Sequence, residues 1–358
     1  LEDDRLKLTA SVRYDKAQNF DGNFSPRVSF AYAGGENKNQ NFRASFQTGF
    51  RNPDTQSQYI GLNAGRAYLV GSAPDNLDRF STPSLNVSGS GQFVANTFGT
   101  TPIGATTSVS GRMAYENAFS AVSVQDFAAG KIAAPTNANV ALVKPEKVTA
   151  FEVGYRGKLK KVIVDMSVYY NQYKDFISNE TVFAPLYGTA GDGSLSVAAI
   201  ANGDFTVYQT YTNSQADVKS YGGSIGLSTK VFGNFDLGGS YTYTKQDFDQ
   251  AAFPDFRTSF NTPEHKTKMS FGNTNLFKNF GFNLAWRWSD NYFWQATFGD
   301  GDIPAYHVMD AQISYAIPSL KTTLKAGATN LLGDEYFTAI GTGNIGSMYY
   351  LSWTIDNL

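Results

Sequence analysis

Ten residues near the start of the chain alternate without a break. Leu6, Leu8, Ala10, Val12 and Tyr14 share one parity, and Lys7, Thr9, Ser11, Arg13 and Asp15 share the other. A period of two belongs to a β-strand with one apolar and one polar face. The pattern returns in Val162, Val164, Met166, Val168 and Tyr170, in Phe280, Phe282, Leu284, Trp286 and Trp288, and in Tyr349, Leu351, Trp353 and Ile355. About twelve such segments are predicted, near 5–15, 25–34, 41–51, 146–157, 161–175, 206–230, 234–246, 264–274, 279–291, 304–316, 320–331 and 347–357. Most exceed the common strand length of about five or six residues. They match the roughly nine to eleven that a tilted strand needs to cross a bilayer.

The connections narrow the architecture. Short ones (34–39, 157–160, 231–234, 275–278 and 317–319) alternate with long ones (16–24, 52–145, 176–205, 247–263, 292–303 and 332–346). An antiparallel barrel in an outer membrane has short turns at one end and long loops at the other. A soluble β-sandwich, the competing architecture, has no reason to gather every long loop at one end. The predicted fold is therefore all-β, a transmembrane antiparallel β-barrel with its apolar face toward lipid and its polar face toward the lumen. Tyr14, Tyr32, Phe50, Tyr155, Tyr170, Tyr243, Trp286, Trp288 and Trp353 fall near strand ends, where interfacial aromatics gather.

Composition removes several classes. The mean hydropathy of −0.30 is that of a soluble protein, but a barrel gives the same value because its two faces average out. No stretch reaches the roughly 18 apolar residues of a membrane helix. A net charge of −2 leaves no basic footprint for nucleic acid. With no cysteine there are no disulfides or thiolate sites. Leu1-Glu2-Asp3-Asp4-Arg5 lacks the basic and apolar regions of a signal peptide, so an exported protein would begin upstream.

Several segments carry a family resemblance. Lys144-Pro145-Glu146-Lys147-Val148-Thr149-Ala150-Phe151-Glu152-Val153-Gly154-Tyr155-Arg156-Gly157 is the most specific, and Val164-Asp165-Met166-Ser167-Val168-Tyr169-Tyr170-Asn171-Gln172-Tyr173-Lys174-Asp175-Phe176-Ile177 follows at hairpin spacing. Ser25 to Phe30, Phe42 to Phe46, Gly49-Phe50-Arg51-Asn52-Pro53, Thr262 to Thr267 and Asn330 to Phe337 add to it. Together they resemble the C-terminal barrel of TonB-dependent outer-membrane receptors. The resemblance implies a barrel of about 22 strands around an N-terminal plug, with this chain its second half. It places 52–145 outside the cell as one large extracellular loop within a barrel spanning 1–358. It implies a Gram-negative outer-membrane location, lipid around the wall, and contact with the TonB complex through a plug that this chain does not contain. It implies active import of a scarce ligand, whether iron chelate, vitamin, glycan or peptide, and leaves open a surface lipoprotein as lid. A passive pore and a structural barrel subunit of a larger complex are the alternatives. Outer-membrane barrels usually end in an aromatic residue, and Leu358 departs from that.

Candidate site residues divide into two groups. Arg13, Arg27, Arg43, Arg51, Arg156, Asp165 and Arg287 share the lumen parity, where charges meet a plug, ions or substrate, or simply wet a polar wall. Segment 52–145 is too long for an ordinary connection, and its aromatics among Ser, Thr and Asn suit stacking on a ligand. Tyr59, Tyr68, Phe80 and Tyr115 represent it, with a packed cap as the other reading. Asp247, Asp249 and Asp255 lack the spacing of an EF-hand, and Gly299-Asp300-Gly301-Asp302 reads as a turn. His265 and His307 lack further metal ligands. Gly341-Thr342-Gly343-Asn344-Ile345-Gly346 fits G-x-G-x-x-G without the following helix that a nucleotide site needs. Neither catalysis, metal nor cofactor is expected.

Overall fold

The computed structural model describes residues 4–17, 19–254, 256–296 and 299–355. Leu1 to Asp3, Asp255 and Leu358 lie outside them. One antiparallel sheet of twelve strands, each beside its neighbour in sequence, forms the wall. Its strands are β1 (Leu6–Asp15), β2 (Asn23–Gly34), β3 (Gln40–Arg51), β4 (Glu146–Leu159), β5 (Val162–Lys174) and β6 (Val218–Val231). They continue as β7 (Phe235–Asp247), β8 (His265–Phe277), β9 (Phe280–Ser289), β10 (Tyr306–Ile317), β11 (Thr322–Thr329) and β12 (Met348–Ile355). Among the described residues, β1 and β12 are not paired with each other. No helix among them is long and apolar enough to cross a membrane.

Register makes the two faces continuous. Phe42, Tyr155, Met166, Ile225, Tyr241, Thr267 and Trp288 follow one another across β3 to β9. One residue on, Arg43, Gly154, Ser167, Ser224, Thr242, Lys266 and Ser289 run across the opposite face. The first row is largely aromatic and aliphatic, and it points away from any core. Val12, Val168 and Leu351 on the same face are 69%, 60% and 88% exposed. A soluble sheet hides such a face against a partner layer; here the uncovered face is the one that a bilayer covers.

Three connections differ from the expectation of loops. In 292–303, Tyr292–Ala296 pairs antiparallel with Gly299–Ile303, so Gly299 to Asp302 is strand and not turn. Residues 52–145 and 175–217 fold together into one cap with its own five-stranded sheet. Strand Phe205–Asn213 lies between Ile177–Pro185, antiparallel, and Tyr68–Val70, parallel. Gly61–Asn63 and Phe119–Ser120 complete the edges. Six helices pack around it: α1 (Thr55–Tyr59), α2 (Pro74–Arg79), α3 (Gly89–Phe98), α4 (Arg112–Glu116), α5 (Ala121–Ala128) and α6 (Leu195–Ala201). The core joins Val70, Leu77, Ala114 and Tyr115 from the first connection to Val182, Ala184, Ala199 and Tyr208 from the second. The predicted strand over 206–230 is therefore two strands, with 214–217 leading from cap to wall. Its first half was indistinguishable because Thr206, Tyr208, Thr210 and Thr212 alternate as a wall strand does while all four are buried in the cap.

Asp204 staples the halves together. It is 3% exposed and accepts from the Ser88 N–H at 2.7 Å, the Ser88 hydroxyl at 2.8 Å and the Tyr187 hydroxyl at 3.1 Å. Ser88 in turn caps α3, its Oγ accepting from Gly91 N at 2.9 Å. The carboxylate of one connection thus orients the helix start of the other, satisfying donors that a helix leaves orphaned.

Candidate functional site

The long-loop end of the polar face closes on a cavity of about 500 Å³ between wall, cap and the connection 248–264. β3 brings Arg51 to it, β4 brings Glu146, β5 brings Tyr173 and β7 brings Gln246, each from its last or first turns of strand. The cap adds Asp54 and Tyr211, and 248–264 adds Arg257. A second cavity of about 470 Å³ adjoins it through Gln246, Thr258 and Phe260.

Charge here is arranged in pairs. Arg51 and Glu146 are register partners, with Nη2 2.8 Å from Oε2. The same Glu146 oxygen accepts from Ile177 N at 2.9 Å, tying the wall to the cap. Arg257 pairs with Asp300 and donates to the Ala296 carbonyl at 3.2 Å. Asp54 caps α1, and the Ser57 N–H that it accepts at 2.6 Å holds its carboxyl below the usual range. Burial pushes the Tyr211 phenol up, and its hydroxyl accepts from Gln56 at 2.8 Å.

Among the described residues, two buried atoms of residues that line the cavity lack a partner: Gln246 Oε1, an acceptor, and Arg257 Nε, a donor. Leaving such groups buried and unpaired costs roughly 1–3 kcal/mol each. The rings of Tyr173, Phe176, Tyr211 and Phe260 line the same cavity and offer an arriving molecule flat apolar surface beside the polar side chains of Gln246 and Arg257. The arrangement suits binding. Among the described residues no group of His, Asp and Glu could hold a metal ion.

The seven charged candidates all lie on the polar face but not at one place. Arg43, Glu152, Arg156 and Asp165 form a loose network, with contacts of 3.6 Å for Arg43–Glu152, 3.9 Å for Arg43–Asp165 and 3.7 Å for Arg156–Asp165. Arg287 pairs with Asp310 at 2.7 Å and Arg13 with Asp15 at 2.5 Å. Arg27 sits opposite Ser11 and Gln47. Only Arg51 reaches the cavity.

Most of the aromatic candidates are spent on packing. Tyr115 is buried, its hydroxyl donating to the Tyr211 carbonyl at 2.9 Å. Tyr68 and Phe80 pack on the cap core, their ring centroids 5.9 Å apart and 6.0 and 6.4 Å from Tyr208. Tyr115 leaves a ligand almost no surface to meet, whereas Tyr68 and Phe80 are half-buried. Tyr59, at the end of α1, is exposed and accepts from Asn19 at 3.1 Å.

The acidic stretches resolve into local structure. Asp249 accepts from Ala251 N and Ala252 N, and Phe248, Phe253 and Phe256 gather in a small cluster with Val218. Asp300 is half of the Arg257 pair. His265 bonds Tyr241 at 2.6 Å, and His307 stands 3.7 Å from Asp334. Gly341 and Thr342 lie in a turn and Ile345 forms an isolated antiparallel bridge with Tyr336, with no helix following. Sequence reading missed Gln246 and Arg257. Gln246 was legible as a polar-face residue at a strand end, but Arg257 lies in a segment without periodicity.

A family model described as TonB dependent receptor-like, beta-barrel, matches residues 1–331. No curated protein of similar sequence was found. Among solved structures, the chain resembles a mutant ferric enterobactin receptor (PfeA) from Pseudomonas aeruginosa in complex with enterobactin. The TM-score is 0.57 at 14% identity, over 98% of this chain and 43% of that one. The FrpB iron transporter of Neisseria meningitidis in its apoprotein form matches with TM-score 0.57 at 11% identity, over 98% and 43%. The siderophore receptor PirA of Pseudomonas aeruginosa matches with TM-score 0.53 at 14% identity, over 97% and 45%. The chain thus spans less than half the length of these proteins. At such identities the likeness is one of fold.

Proposed function

The chain belongs to the TonB-dependent receptor β-barrel family, and on that premise we propose that it forms the wall and outer vestibule of an active importer in a Gram-negative outer membrane. The cap and the long connections face outward, and the short turns face the periplasm. The twelve strands are the second half of a barrel of about 22, with a plug supplied by sequence outside this chain. Ligand binds beneath the cap, and TonB-derived energy acting on the plug opens its path along the polar face. Arg13, Arg27, Arg43, Arg156, Asp165 and Arg287 line that path, and Tyr59 stands at its entrance.

The observation that carries the reading is the cavity at the long-loop end of the polar face, lined by the polar side chains of Gln246 and Arg257 and by the rings of Tyr173, Phe176, Tyr211 and Phe260. Its arginines are each paired with a carboxylate, so it is no trap for a highly charged anion. It favours a compact, nearly neutral ligand with ring surface and hydrogen-bonding edges, such as a metal chelate or vitamin, over a long glycan or peptide.

The test is uptake by cells expressing the full-length protein, supplied with a panel of ferric chelates and vitamins. Gln246→Ala with Arg257→Ala is expected to weaken binding of the accepted ligand while the barrel still assembles. Loss of TonB is expected to abolish uptake. Uptake unchanged without TonB would mean a passive pore, and absence of uptake with stable attachment to other barrels would mean a structural subunit.

A further inference from the structure

On β4 and β5 the outward apolar face ends in two like charges. Register partners on that face run Tyr155–Met166, Val153–Val168 and Phe151–Tyr170 toward the cap. Thr149–Gln172 follows, and then Lys147–Lys174, with Phe50 of β3 on the other side of Lys147. Like charges directly opposite each other on one face of a sheet destabilise it. The next strands avoid the arrangement: Lys219 of β6 stands opposite Asp247 of β7, and Lys245 of β7 pairs with Glu264 at 3.4 Å. Lys147 and Lys174 are exposed. Neither forms an ion pair among the described residues, although Asp217 follows one step beyond the Tyr173–Val218 partners. A depression of about 500 Å³ beside Lys147 sets Lys16, Lys144 and Lys147 against Asp21 and Asp175, and Asp175 is already taken by Lys144 at 2.8 Å.

Height on the wall says what such a pair can meet. Val162, Val164, Met166, Val168 and Tyr170 keep the outward face of β5 apolar over roughly 26 Å of strand, at about 3.3 Å per residue. A tilt of about 40° makes that about 20 Å in height, close to the roughly 25 Å band of a membrane barrel. Lys174 lies further along the same strand, about 10 Å higher than Tyr170. That is headgroup level, where a lysine keeps its stem on apolar surface and its ammonium among phosphates. An anion seated between the two ammonium groups turns one repulsion into two attractions. It must lie on the lipid side of the wall and at the outer boundary of the apolar band. A phosphate carried by a lipid of the outer leaflet meets both conditions.

We propose that Lys147 and Lys174 together bind a phosphate on the headgroup of an outer-leaflet lipid, whose acyl chains lie along Phe151, Val153, Val168 and Tyr170. The proposal rests on the membrane orientation given above.

The test uses the full-length protein in neutral detergent and native mass spectrometry, with diphosphorylated lipid A and its dephosphorylated form at equal concentration. Wild type is expected to retain the phosphorylated form at least roughly tenfold better, since lysines near an anionic surface contribute about fivefold each. Lys147→Gln/Lys174→Gln is expected to remove the preference, while Lys245→Gln, whose lysine already has a carboxylate, is expected to keep it. If the double variant does not assemble, Lys174→Gln alone is expected to cut the preference about fivefold. Lys147→Glu gives a second readout. It puts opposite charges in register, so the lipid-free variant is expected to unfold at a higher temperature than wild type while losing the preference. Equal retention of the two lipids by wild type overturns the proposal, as does an unchanged preference in a folded double variant. An equal loss in Lys245→Gln would mean a diffuse charge effect, and displacement by inorganic phosphate a simple anion site; either overturns it. Failure to insert into bilayers would overturn the membrane reading itself, whereas insertion without a phosphate preference overturns only this site.

Discussion

The wall and the cap treat apolar side chains in opposite ways. On the wall, Val12, Val168, Leu351 and Trp353 stand outward with no protein over them. In the cap, Val70, Val182, Phe119 and Tyr208 are at most 1% exposed. The wall is held by strand-to-strand register and completed by lipid. The cap is held by a dry core of its own, as a water-soluble domain is. One chain therefore carries two solvents' rules, switching at residues 51–54, 143–146, 174–177 and 214–218.

Substitutions that separate the two rules test the contrast. Tyr208→Ala empties the centre of the cap core, and a loss of roughly 3–5 kcal/mol is expected there. Proteolysis of the cap should accelerate while the heat-shifted mobility of the folded barrel persists; simultaneous collapse of both would erase the distinction. Val168→Lys does the reverse. It is expected to cost roughly 2–4 kcal/mol if the site meets the middle of the bilayer, read as poorer insertion into vesicles with an unchanged cap. Asp204→Ala removes the staple between the cap halves, at roughly 2–3 kcal/mol for a buried charged acceptor with three donors, again visible as cap proteolysis alone.

Asp54→Ala is a smaller perturbation, about 1 kcal/mol for a lost helix cap. Its pH dependence has a definite sign. A carboxyl depressed by the Ser57 N–H contributes stability above the ordinary value of 3.8, and that contribution fades as the pH falls through the depressed value in the folded state. Cap proteolysis below pH 4 should thus converge between wild type and variant. The smallest effect belongs to Arg13→Gln, whose pair with Asp15 is largely exposed and contributes a few tenths of a kcal/mol.

The same contrast explains what could be read from sequence. β1 and β5 announce themselves because the two-residue period is local: Leu6 to Asp15 needs no knowledge of any other segment. The twelve wall strands were legible on that basis, though β6 was read together with the cap strand Phe205–Asn213. The cap was not, because its contacts join distant residues. Tyr68 pairs with Tyr208, and Ser88 bonds Asp204 across 116 positions. Tyr115 looked available for a ligand because an aromatic among small polar residues reads alike whether it faces solvent or fills a core. At the cavity, Arg51 was visible through its parity and Glu146 through its motif, though neither revealed that they pair. Arg257 gave no signal, since its position depends on how 248–264 folds over the strand ends.

The parallel pairing of Tyr68–Val70 with Tyr208–Thr210 makes the cap indivisible as an inherited part. Residues 52–145 cannot be exchanged between relatives alone, because the hairpin 177–213 would keep Val182 and Tyr208 with nothing to cover them. During synthesis the first piece must wait for β4 and β5 before its partner strands exist. A graft that changes what this vestibule admits must therefore move both insertions together, leaving the β4–β5 hairpin between them untouched.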